Sequence, residues 1–553
     1  MHSADSVTDP GPELTGPALG KLYQQHPAEA VSLGVEESTP EFQYLTGWRF
    51  YVVGAVLELA LFLVNFEITI VSTALVSISN DLDDFGRTSW VITAYLITYT
   101  AGLVINAKLS DIFGRKWTYL TVLLIFSAFS GGCGGAQTMT QLIIFRAFQG
   151  IGGGGLYAVA FVMLLESVPK SKLPILTAFS TSLVALGNAL GPVFGGLITQ
   201  RATWRWVFLL NVPAGVIAAL CVLFIVPNNF PYQGLAKERQ KPKPSLATID
   251  FLGAFLLLLA LALLITGLEE AASNLSWTSA ATIAPIVVST FSWGAFLFSQ
   301  WIFSRPGSVV EPVFPWRFCQ NRVMMGLILN SFFTGAVSIT CIIQLPIRYQ
   351  TTLGVNPLQA GIKLLPFVLF GPVGAALTAG LSKNRRVAPV YVGLFGVILQ
   401  ILGLAFLSSV PVDNPDWNAT YGLEVLVGLG MGCAIGVVTI MTPYVVQHKD
   451  LAVATAAGTQ FRFVGSAVVV SITTAVGNGW IKDQLSGVLT SQQIGGIFRS
   501  SDTINHLPPE VQKRVRAEFG RSFNLEFHII LGFAVAAVLS IALLWRRQQI
   551  KVD

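Results

Sequence analysis

The sequence predicts an all-α integral membrane protein with fourteen transmembrane helices, and three observations support this fold class. Only 11% of the 553 residues are charged and 53% are hydrophobic, whereas soluble proteins carry roughly 25% charged residues. The mean hydropathy is +0.65. Apolar runs of about 20 residues, the length that a membrane-spanning helix needs, recur from Phe50 to Leu544. The net charge of +5 lies in the loops, so it indicates membrane topology and not nucleic-acid binding.

Each predicted helix is an apolar segment long enough to cross the hydrocarbon core of a bilayer. The fourteen segments lie near 50–72, 88–107, 117–136, 141–164, 174–199, 205–226, 249–268, 280–303, 323–347, 357–381, 387–409, 420–446, 451–475 and 526–545.

Basic residues are distributed unequally between the loops that join these segments. With the N-terminus in the cytoplasm, the short even-numbered loops hold sixteen Lys and Arg residues and the short odd-numbered loops hold four. This bias follows the positive-inside rule and places both chain ends in the cytoplasm. Two Asn-x-Ser/Thr sequons, at Asn274 and Asn418, fall in predicted outside loops, so we expect N-glycosylation there.

Internal repetition predicts two six-helix bundles with two extra central helices. "FQGIGGGGLYA" (148–158) resembles "VGLGMGCAIG" (427–436), and "LSDIFGRKWTYL" (109–120) resembles "LSKNRRVAPVYV" (381–392) at a similar offset. Two like-oriented six-helix halves are a known plan of secondary transporters. The predicted segments are a disordered cytoplasmic tail 1–47, a half 48–226, a cytoplasmic linker 227–248, two inserted helices 249–303, a half 323–545 and a cytoplasmic tail 546–553.

The second half contains a long predicted outside loop, 476–525. Its stretch "PPEVQKRVRAEF" is predicted to form an amphipathic helix that lies on the membrane surface.

Four motifs carry a family resemblance. They are "NFEITIVSTAL" (65–75) with Glu67, "KLSDIFGRK" (108–116) with Asp111, Gly114, Arg115 and Lys116, "RAFQGIGGG" (146–154) with Arg146, Gln149, Gly150 and Gly152, and "ALGNALGPVFGGLI" (185–198) with Gly187, Gly191, Pro192, Gly195 and Gly196. Together with "WRWVFLLNVPAG" (204–215), they resemble the major facilitator superfamily, specifically its fourteen-span drug:proton antiporters and, within those, the fungal multidrug and toxin efflux pumps. The resemblance covers about 48–475. Lys108 stands where the family usually has Gly, and Glu67 replaces the usual Asp.

The resemblance implies the major-facilitator fold and transport driven by a proton gradient. The fifth-span motif is the one that this family associates with export. No Walker motif is present, and "GIGGGG" lies inside an apolar span without a βαβ context, so nucleotide binding is rejected. The five cysteines are scattered and form no CxxC. We therefore predict no cofactor and no metal site.

Basic residues inside the membrane are the first candidates for coupling, because each costs at least about 2.5–3.5 kcal/mol on insertion scales. The sequence places Arg146, Lys363 and Arg462 inside predicted spans. Arg146 is predicted to pair with Glu67 or Glu58 of the first span. These two acids lie on opposite helix faces, and Glu67, which matches the family position, is predicted to bind the proton.

The other two basic residues have weaker assignments. Arg462 is predicted either to line the transport cavity or to pair with Asp111 across the halves. Lys363 lies near the predicted outer end of its span, where a snorkelling side chain is the favoured interpretation.

The charges of "KLSDIFGRK" are predicted to act in conformational gating at the cytoplasmic junction of the second and third spans. Glu166, at the inner end of the fourth span, is the expected partner. The alternative is a positive-inside anchor, which Arg115 and Lys116 satisfy but which calls for neither Asp111 nor Gly114.

The sequence therefore predicts a proton-coupled exporter of small lipophilic compounds such as drugs, mycotoxins or other secondary metabolites. It is expected to act as a monomer in a fungal plasma membrane, with the substrate, protons and the lipid bilayer as its partners. One alternative is a vacuolar or uptake transporter of basic amino acids or siderophores with the same fold. A second alternative is a membrane sensor that transports nothing.

Overall fold

The computed structural model describes residues 47–168, 173–231, 246–274, 278–382, 386–412, 417–446, 451–499 and 501–550. These residues belong to one unit. The predicted tail 1–47, except Gly47, and residues 232–245 of the predicted linker lie outside the described residues. So do the last three residues of the predicted tail 546–553.

The described chain is helical and is built from long apolar helices. They are α1 (Trp48–Asp81), α2 (Thr88–Phe113), α3 (Arg115–Gly134), α4 (Met139–Glu166), α5 (Leu173–Arg201), α6 (Asn211–Ile225), α7 (Phe251–Asn274), α8 (Ala280–Phe303), α9 (Arg322–Arg348), α10 (Leu365–Ser382), α11 (Pro389–Leu407), α12 (Ala419–Val445), α13 (Leu451–Leu485) and α14 (Pro509–Leu544).

Within the described residues, four short helices lie between the long ones: Arg205–Leu209, Trp316–Gln320, Pro357–Lys363 and Ser491–Arg499. A π-helical turn, Tyr349–Leu353, follows α9. Thirteen spans of the described chain are long and apolar enough to cross a membrane, and α2, bent by 40°, is the fourteenth if its two parts count as one. The predicted all-α membrane fold is confirmed.

The two halves repeat the same packing order. In the first half α1 packs on α5 and α6, α2 packs on α4, and α3 packs on α4 and α6. In the second half α9 packs on α13 and α14, α10 packs on α12, and α11 packs on α12 and α14. The order is the same after a shift of eight helices, as the internal repetition predicts. The halves meet where α2 contacts α13 and where α5 contacts the short helix Pro357–Lys363.

Polar residues with side-chain acceptors set several helix starts. The Thr138 hydroxyl accepts the Gln141 N–H at 3.2 Å before α4, and the Ser279 hydroxyl accepts the Thr282 N–H at 3.2 Å before α8. The first N–H groups of a helix have no partner within it, so such caps fix where the helix begins.

The inserted helices α7 and α8 pack on each other, and α7 also contacts α2 and α13. Asp250, 3% exposed, holds the predicted cytoplasmic end of the pair. Its carboxylate accepts the Gly253 N–H at 2.6 Å at the start of α7 and the Gln300 side-chain amide of α8 at 2.6 Å. It also accepts the Val313 N–H at 3.2 Å. Three chain segments are therefore joined by one buried carboxylate.

The predicted outside loop 476–525 is wrong in its extent. Helix α13 continues to Leu485 and α14 begins at Pro509, so the connection shortens to residues 486–508. The stretch "PPEVQKRVRAEF" is not a separate surface helix, because its residues from Pro509 onward form the first turns of α14. Hydropathy alone ends a helix where the membrane ends, whereas the backbone continues helical into the polar segment.

Candidate functional site

The first half contains a buried ion pair between α1 and α4. The Arg146 Nη1 lies 2.7 Å from the Glu67 Oε1, and both side chains are 0% exposed. The structure thus selects Glu67 from the two predicted partners. Glu58 instead accepts a 2.5 Å hydrogen bond from the Ser180 hydroxyl of α5, because it lies on the other side of α1.

Two further side chains complete the coordination of the Glu67 carboxylate. The Gln149 amide donates to Oε1 at 3.1 Å, and the Asn211 amide of α6 donates to Oε2 at 2.6 Å. The Arg146 Nε donates to the Val91 carbonyl of α2 at 2.9 Å. Helices α1, α4 and α6 therefore meet at one carboxylate, and α2 is joined to it through Arg146.

Sequence reasoning assigned no role to Asn211, although it lies in the stretch "WRWVFLLNVPAG" that carried part of the resemblance. A polar residue inside an apolar segment was the available signal. The Arg146 guanidinium also lies 4.2 Å from the centroid of the Tyr95 ring, a cation–π contact that keeps the charge inside the bundle.

The glycines of the fourth-span motif allow this convergence. A Cβ at Gly150 would lie 2.4 Å from the Tyr95 carbonyl oxygen of α2, and a Cβ at Gly152 would lie 2.6 Å from the Phe126 nitrogen of α3. Only a residue without a side chain permits backbones to approach so closely. The motif therefore holds α4 against α2 and α3, and this places Arg146 beside Glu67.

The fifth-span motif presents two faces. Gly187, Gly191 and Gly195 face α1, where a Cβ at Gly195 would lie 2.1 Å from the Ile70 carbonyl oxygen. Gly196 faces the opposite half, and its Cβ would lie 2.4 Å from the Pro357 carbonyl oxygen. One side of α5 therefore packs closely within the first half, and another side packs closely against the second half.

The contact between halves is reinforced on the predicted outer side. A Cβ at Gly361 would lie 2.3 Å from the Pro192 carbonyl oxygen, so α5 and the short helix Pro357–Lys363 touch backbone to backbone. The Gln350 amide donates to the Thr73 carbonyl of α1 at 3.2 Å. We call the Gly196–Pro357, Gly361–Pro192 and Gln350–Thr73 contacts the outer seam.

On the predicted cytoplasmic side, Arg115 joins the acids expected for it. Its guanidinium lies 2.5 Å from the Asp111 carboxylate and 2.8 Å from the Glu166 carboxylate. The Lys116 Nζ donates to the Leu223 carbonyl at 2.7 Å, one of the last carbonyls of α6 that have no partner within the helix. All three partners belong to the first half, so these contacts do not cross between the halves in this conformation.

Gly114 separates α2 from α3 with φ 93° and ψ 146°, a conformation that is essentially confined to glycine. No atom lies within 4 Å of the position that a Cβ would take. The turn therefore requires glycine for its backbone angle and not for space. The Lys108 ammonium, at the end of α2, forms a salt bridge with Glu311, in the segment after α8.

Arg462 forms no ion pair with Asp111 among the described residues, because Asp111 pairs with Arg115. Arg462 lies 5.4 Å from the centroid of the Phe463 ring, at the contact between α13 and α2. Aromatic rings from both halves surround this contact. The Tyr99–Phe463 centroids are 4.6 Å apart, and Tyr99–Tyr157 are 6.4 Å apart. We call Tyr99, Tyr157 and Phe463 the aromatic cluster.

Sequence reasoning missed four buried charges in the second half, one of which, Glu518 of α14, forms an ion pair with Arg521. Arg348, counted as a loop residue, lies in α9 and is 3% exposed, and Glu424 of α12 and Glu526 of α14 are also buried. Each of these three charged residues lies near the end of an apolar segment, where the apolar pattern of its neighbours makes a single charge hard to recognise. Lys363, predicted to snorkel, donates to the Tyr421 hydroxyl of α12 and packs beside its ring.

The predicted glycosylation sites differ in what the structure describes. Asn418 is exposed directly before α12. Asn274 ends α7, and its side chain lies outside the described part. Within the described residues, no group of three or more His, Cys, Asp or Glu side chains is arranged to hold a metal ion.

Comparison with known proteins identifies the family of this chain. The family profile of the Major Facilitator Superfamily matches residues 57–470. The chain belongs to this superfamily. Its members are membrane transporters and not enzymes, so this chain is a multi-pass transporter. A similar curated relative is "MFS-type transporter FPY5" of Fusarium mangiferae, 38% identical over 525 residues that cover 94% of this chain and 87% of the relative.

Other relatives of this superfamily chain carry more specific names. "Rubrofusarin-specific efflux pump aurT" of Gibberella zeae is 27% identical, with 88% of each chain covered. "MFS efflux transporter aclA" of Aspergillus oryzae is 28% identical, with 92% of each chain covered. A solved bacterial homologue of the human lysosomal transporter Spinster, in an inward-facing and unoccupied conformation, superposes with a TM-score of 0.63 at 15% identity, covering 91% of this chain and 100% of that chain. That likeness shows the fold alone.

Proposed function

We propose that this transporter exports small lipophilic, planar compounds in exchange for protons, and that it does so at a fungal plasma membrane. The observation that carries the proposal is the fully buried Glu67–Arg146 pair, whose carboxylate is held by α1, α4 and α6 together. Relatives named as efflux pumps support the direction of transport. Relatives from several fungi support the setting.

Proton binding at Glu67 would change how these helices hold together. An ionised Glu67 accepts charge-assisted hydrogen bonds from Arg146, and such bonds are about twice as strong as neutral ones. Protonation removes the charge that attracts Arg146 and turns one acceptor oxygen into a donor. The contacts of α1 with α4 and α6 then weaken together, which allows α1 to shift at the outer seam that it helps to form through Thr73.

Alternating access follows from where the contacts lie. The conformation described here is closed at the outer seam. Opening this seam while the predicted cytoplasmic side closes would move substrate outward, as in two-half transporters that rock around a central site. The cluster of Asp111, Arg115 and Glu166 would keep α2, α3 and α4 moving as one body during this step.

The aromatic cluster is the proposed contact surface for substrate. It joins α2 and α4 to α13, at the contact between the halves. Aromatic faces bind planar apolar molecules by stacking, and a neighbouring cation such as Arg462 would add a contact for a polar substituent. We propose the small molecule, protons and lipid as the transporter's partners, with the chain acting as a monomer and using no nucleotide.

The test uses yeast cells that lack their own drug pumps and express this chain at the cell surface. Accumulation of a panel of fluorescent lipophilic dyes is measured with and without a protonophore. Glu67→Gln, which keeps the shape but cannot ionise, is compared with Glu510→Gln, the same change at an exposed site on α14. We expect lower accumulation with the parent chain and with Glu510→Gln, and loss of this effect with Glu67→Gln or the protonophore.

Three results would contradict the proposal. Export that persists in the presence of the protonophore would exclude the proton gradient as its energy source. Higher accumulation in expressing cells than in empty cells would indicate uptake. Fluorescence of a tagged chain at the vacuole and not at the plasma membrane would contradict the proposed location.

A further inference from the structure

The second half holds a buried carboxylate at the position that Arg146 occupies in the first half. Helices α4 and α12 align through their glycines, which pair at a constant offset: Gly150 with Gly428, Gly152 with Gly430, and Gly154 with Gly432. The packing agrees with this alignment. A Cβ at Gly154 would lie 2.1 Å from the Tyr99 carbonyl oxygen of α2, and one at Gly432 would lie 1.8 Å from the Gly371 carbonyl oxygen of α10. The same offset pairs Arg146 with Glu424.

The surroundings of Glu424 differ from those of Glu67. Its Oε1 accepts a hydrogen bond from the Tyr349 hydroxyl. Its Oε2 is buried and has no hydrogen-bond partner among the described residues. Glu67, by contrast, accepts hydrogen bonds at both oxygens and forms an ion pair. Glu424 is thus a buried acid with one oxygen left available.

Several charged and titratable groups lie near Glu424. They are Cys341, Arg348 and Tyr349 from α9 and its π-helical turn, Lys363 from the short helix, and Tyr421 from α12, with Glu526 of α14 beyond Arg348. No ion pair joins Glu424 or Glu526 to a cation within the described part of the chain. Arg348 instead donates to the Leu407 carbonyl at 3.4 Å.

Burying the Glu424 carboxylate without a counter-ion costs folding free energy, which indicates that the group has a function. A charge within a membrane bundle that has no direct counter-ion is strongly destabilising. A carboxyl group that only held helices together would be replaceable by an amide or a hydroxyl group without that cost. The Glu424 Oε2 has no hydrogen-bond partner within the residues that the structure describes and is therefore the oxygen atom available to bind a proton.

The site connects to the outer seam through the π-helical turn. Tyr349, the donor to Glu424, is its first residue, and Gln350, the next residue, donates to the Thr73 carbonyl of α1. Single π-helical turns occur frequently at functional sites. A cavity of about 240 Å³ reaches the turn from the predicted outer side and is lined by Gln350, Ser77 and Arg516 among others. The Tyr349–Glu424 hydrogen bond and the outer seam are therefore connected through two adjacent residues, Tyr349 and Gln350.

We propose that Glu424 is a second proton-binding group, which takes its proton from the outer solution and controls the outer seam through Tyr349 and Gln350. The proton adds to the free Glu424 Oε2 and later leaves to the cytoplasmic solution, and no other bond is made or broken. The inference rests on the proposed function in that the protons of both sites drive the same transport cycle. Glu67 and Glu424 then place one proton site in each half.

The test is an infrared pH titration of the purified full-length chain in lipid nanodiscs. The C=O stretch of protonated carboxyl groups is followed in the parent chain and in Glu424→Gln, Glu526→Gln and Tyr349→Phe. We expect Glu424→Gln to lose one titrating band, Tyr349→Phe to shift the same band, and Glu526→Gln to keep it. Size-exclusion profiles and melting temperatures verify that each variant is folded.

Two infrared results would overturn the assignment. One is an unchanged set of carboxyl bands in folded Glu424→Gln. The other is loss of the band in Glu526→Gln in place of Glu424→Gln, which would move the proton to α14. Because this measurement needs no substrate, it decides the role of Glu424 even if no dye of the panel is exported and the proposed function fails.

A transport measurement then tests coupling. Proteoliposomes containing the dye that cells export most strongly are held at a pH difference of about one unit and zero membrane potential. Each coupled proton multiplies the limiting dye gradient about tenfold under these conditions, since a difference of one pH unit is a tenfold ratio of proton activity. We expect the limiting gradient of Glu424→Gln to be about tenfold smaller than that of the parent. An unchanged limiting gradient would refute a coupling role for Glu424.

Discussion

A methyl group at Gly361 should open the outer seam without harming either half. The Cβ would lie 2.3 Å from the Pro192 carbonyl oxygen, about 1 Å inside ordinary van der Waals contact, and that oxygen belongs to backbone that no rotamer change can move. Overpacking of this kind costs typically about 1–3 kcal/mol. The clash exists only while the two halves touch, so the cost falls on the seam-closed conformation and lowers its population relative to the open one by about 5–150-fold.

The assay is chemical labelling at a half-buried position in the outer cavity, next to the seam. Ser77 lines the outer cavity, and Ser77→Cys is introduced into a chain whose five native cysteines are replaced. A membrane-impermeant thiol reagent added outside the cell should label this cysteine faster when Gly361→Ala is present. The matched control is Gly432→Ala, whose methyl group would lie 1.8 Å from the Gly371 carbonyl oxygen within one half. It should lower the melting temperature and leave the labelling rate unchanged.

The reasoning would be refuted by equal labelling rates in the parent and in folded Gly361→Ala. It would also be refuted by an equal increase in Gly432→Ala, because a general loosening of the bundle would then explain the labelling.

Four further predictions concern single contacts. Glu67→Gln should abolish protonophore-sensitive dye export while the chain still reaches the membrane, and wild-type export by this variant would remove Glu67 from the coupling step. Gly114→Ala should lower the stability of the protein by about 1–3 kcal/mol, because alanine rarely adopts the backbone angles of this turn. An unchanged melting temperature would show that the turn accepts a residue other than glycine. Lys108→Ala should change stability by less than about 1 kcal/mol, because its Glu311 partner is 62% exposed and exposed ion pairs contribute little. Asp250→Ala should destabilise by about 1–3 kcal/mol, because it leaves buried donors unpaired, and heat-induced aggregation at the parental temperature would contradict this.

Much of the fold was available from the sequence, because a bilayer imposes simple requirements. Each span must be apolar and about 20 residues long, and basic residues must collect on one side. Short motifs were informative for the same reason. Glycines that allow helix contact and charges that are rare in membranes, such as Arg146, are conspicuous against an apolar background.

Partner choice depended on the tertiary structure. Helical periodicity placed Glu58 and Glu67 on opposite faces of α1, but only the packing of α4 and α6 showed which face meets Arg146 and Asn211. In the same way, the sequence left two alternatives for Arg462, which were to line the transport cavity or to pair with Asp111. The structure places it at the α2–α13 contact, beside the aromatic cluster.

The sequence by itself determined that this chain is a multi-pass membrane protein, since the length and apolarity of each span are properties of single segments, and its motifs and internal repetition indicated a transporter with two like halves. It did not reveal Glu424 beside Tyr349 or the outer seam, because those depend on residues from different helices that packing brings together. A hydropathy average over about 20 residues hides a single charged residue near the end of a span. Helix packing decides contacts atom by atom, and so only the tertiary structure decided which buried groups act together.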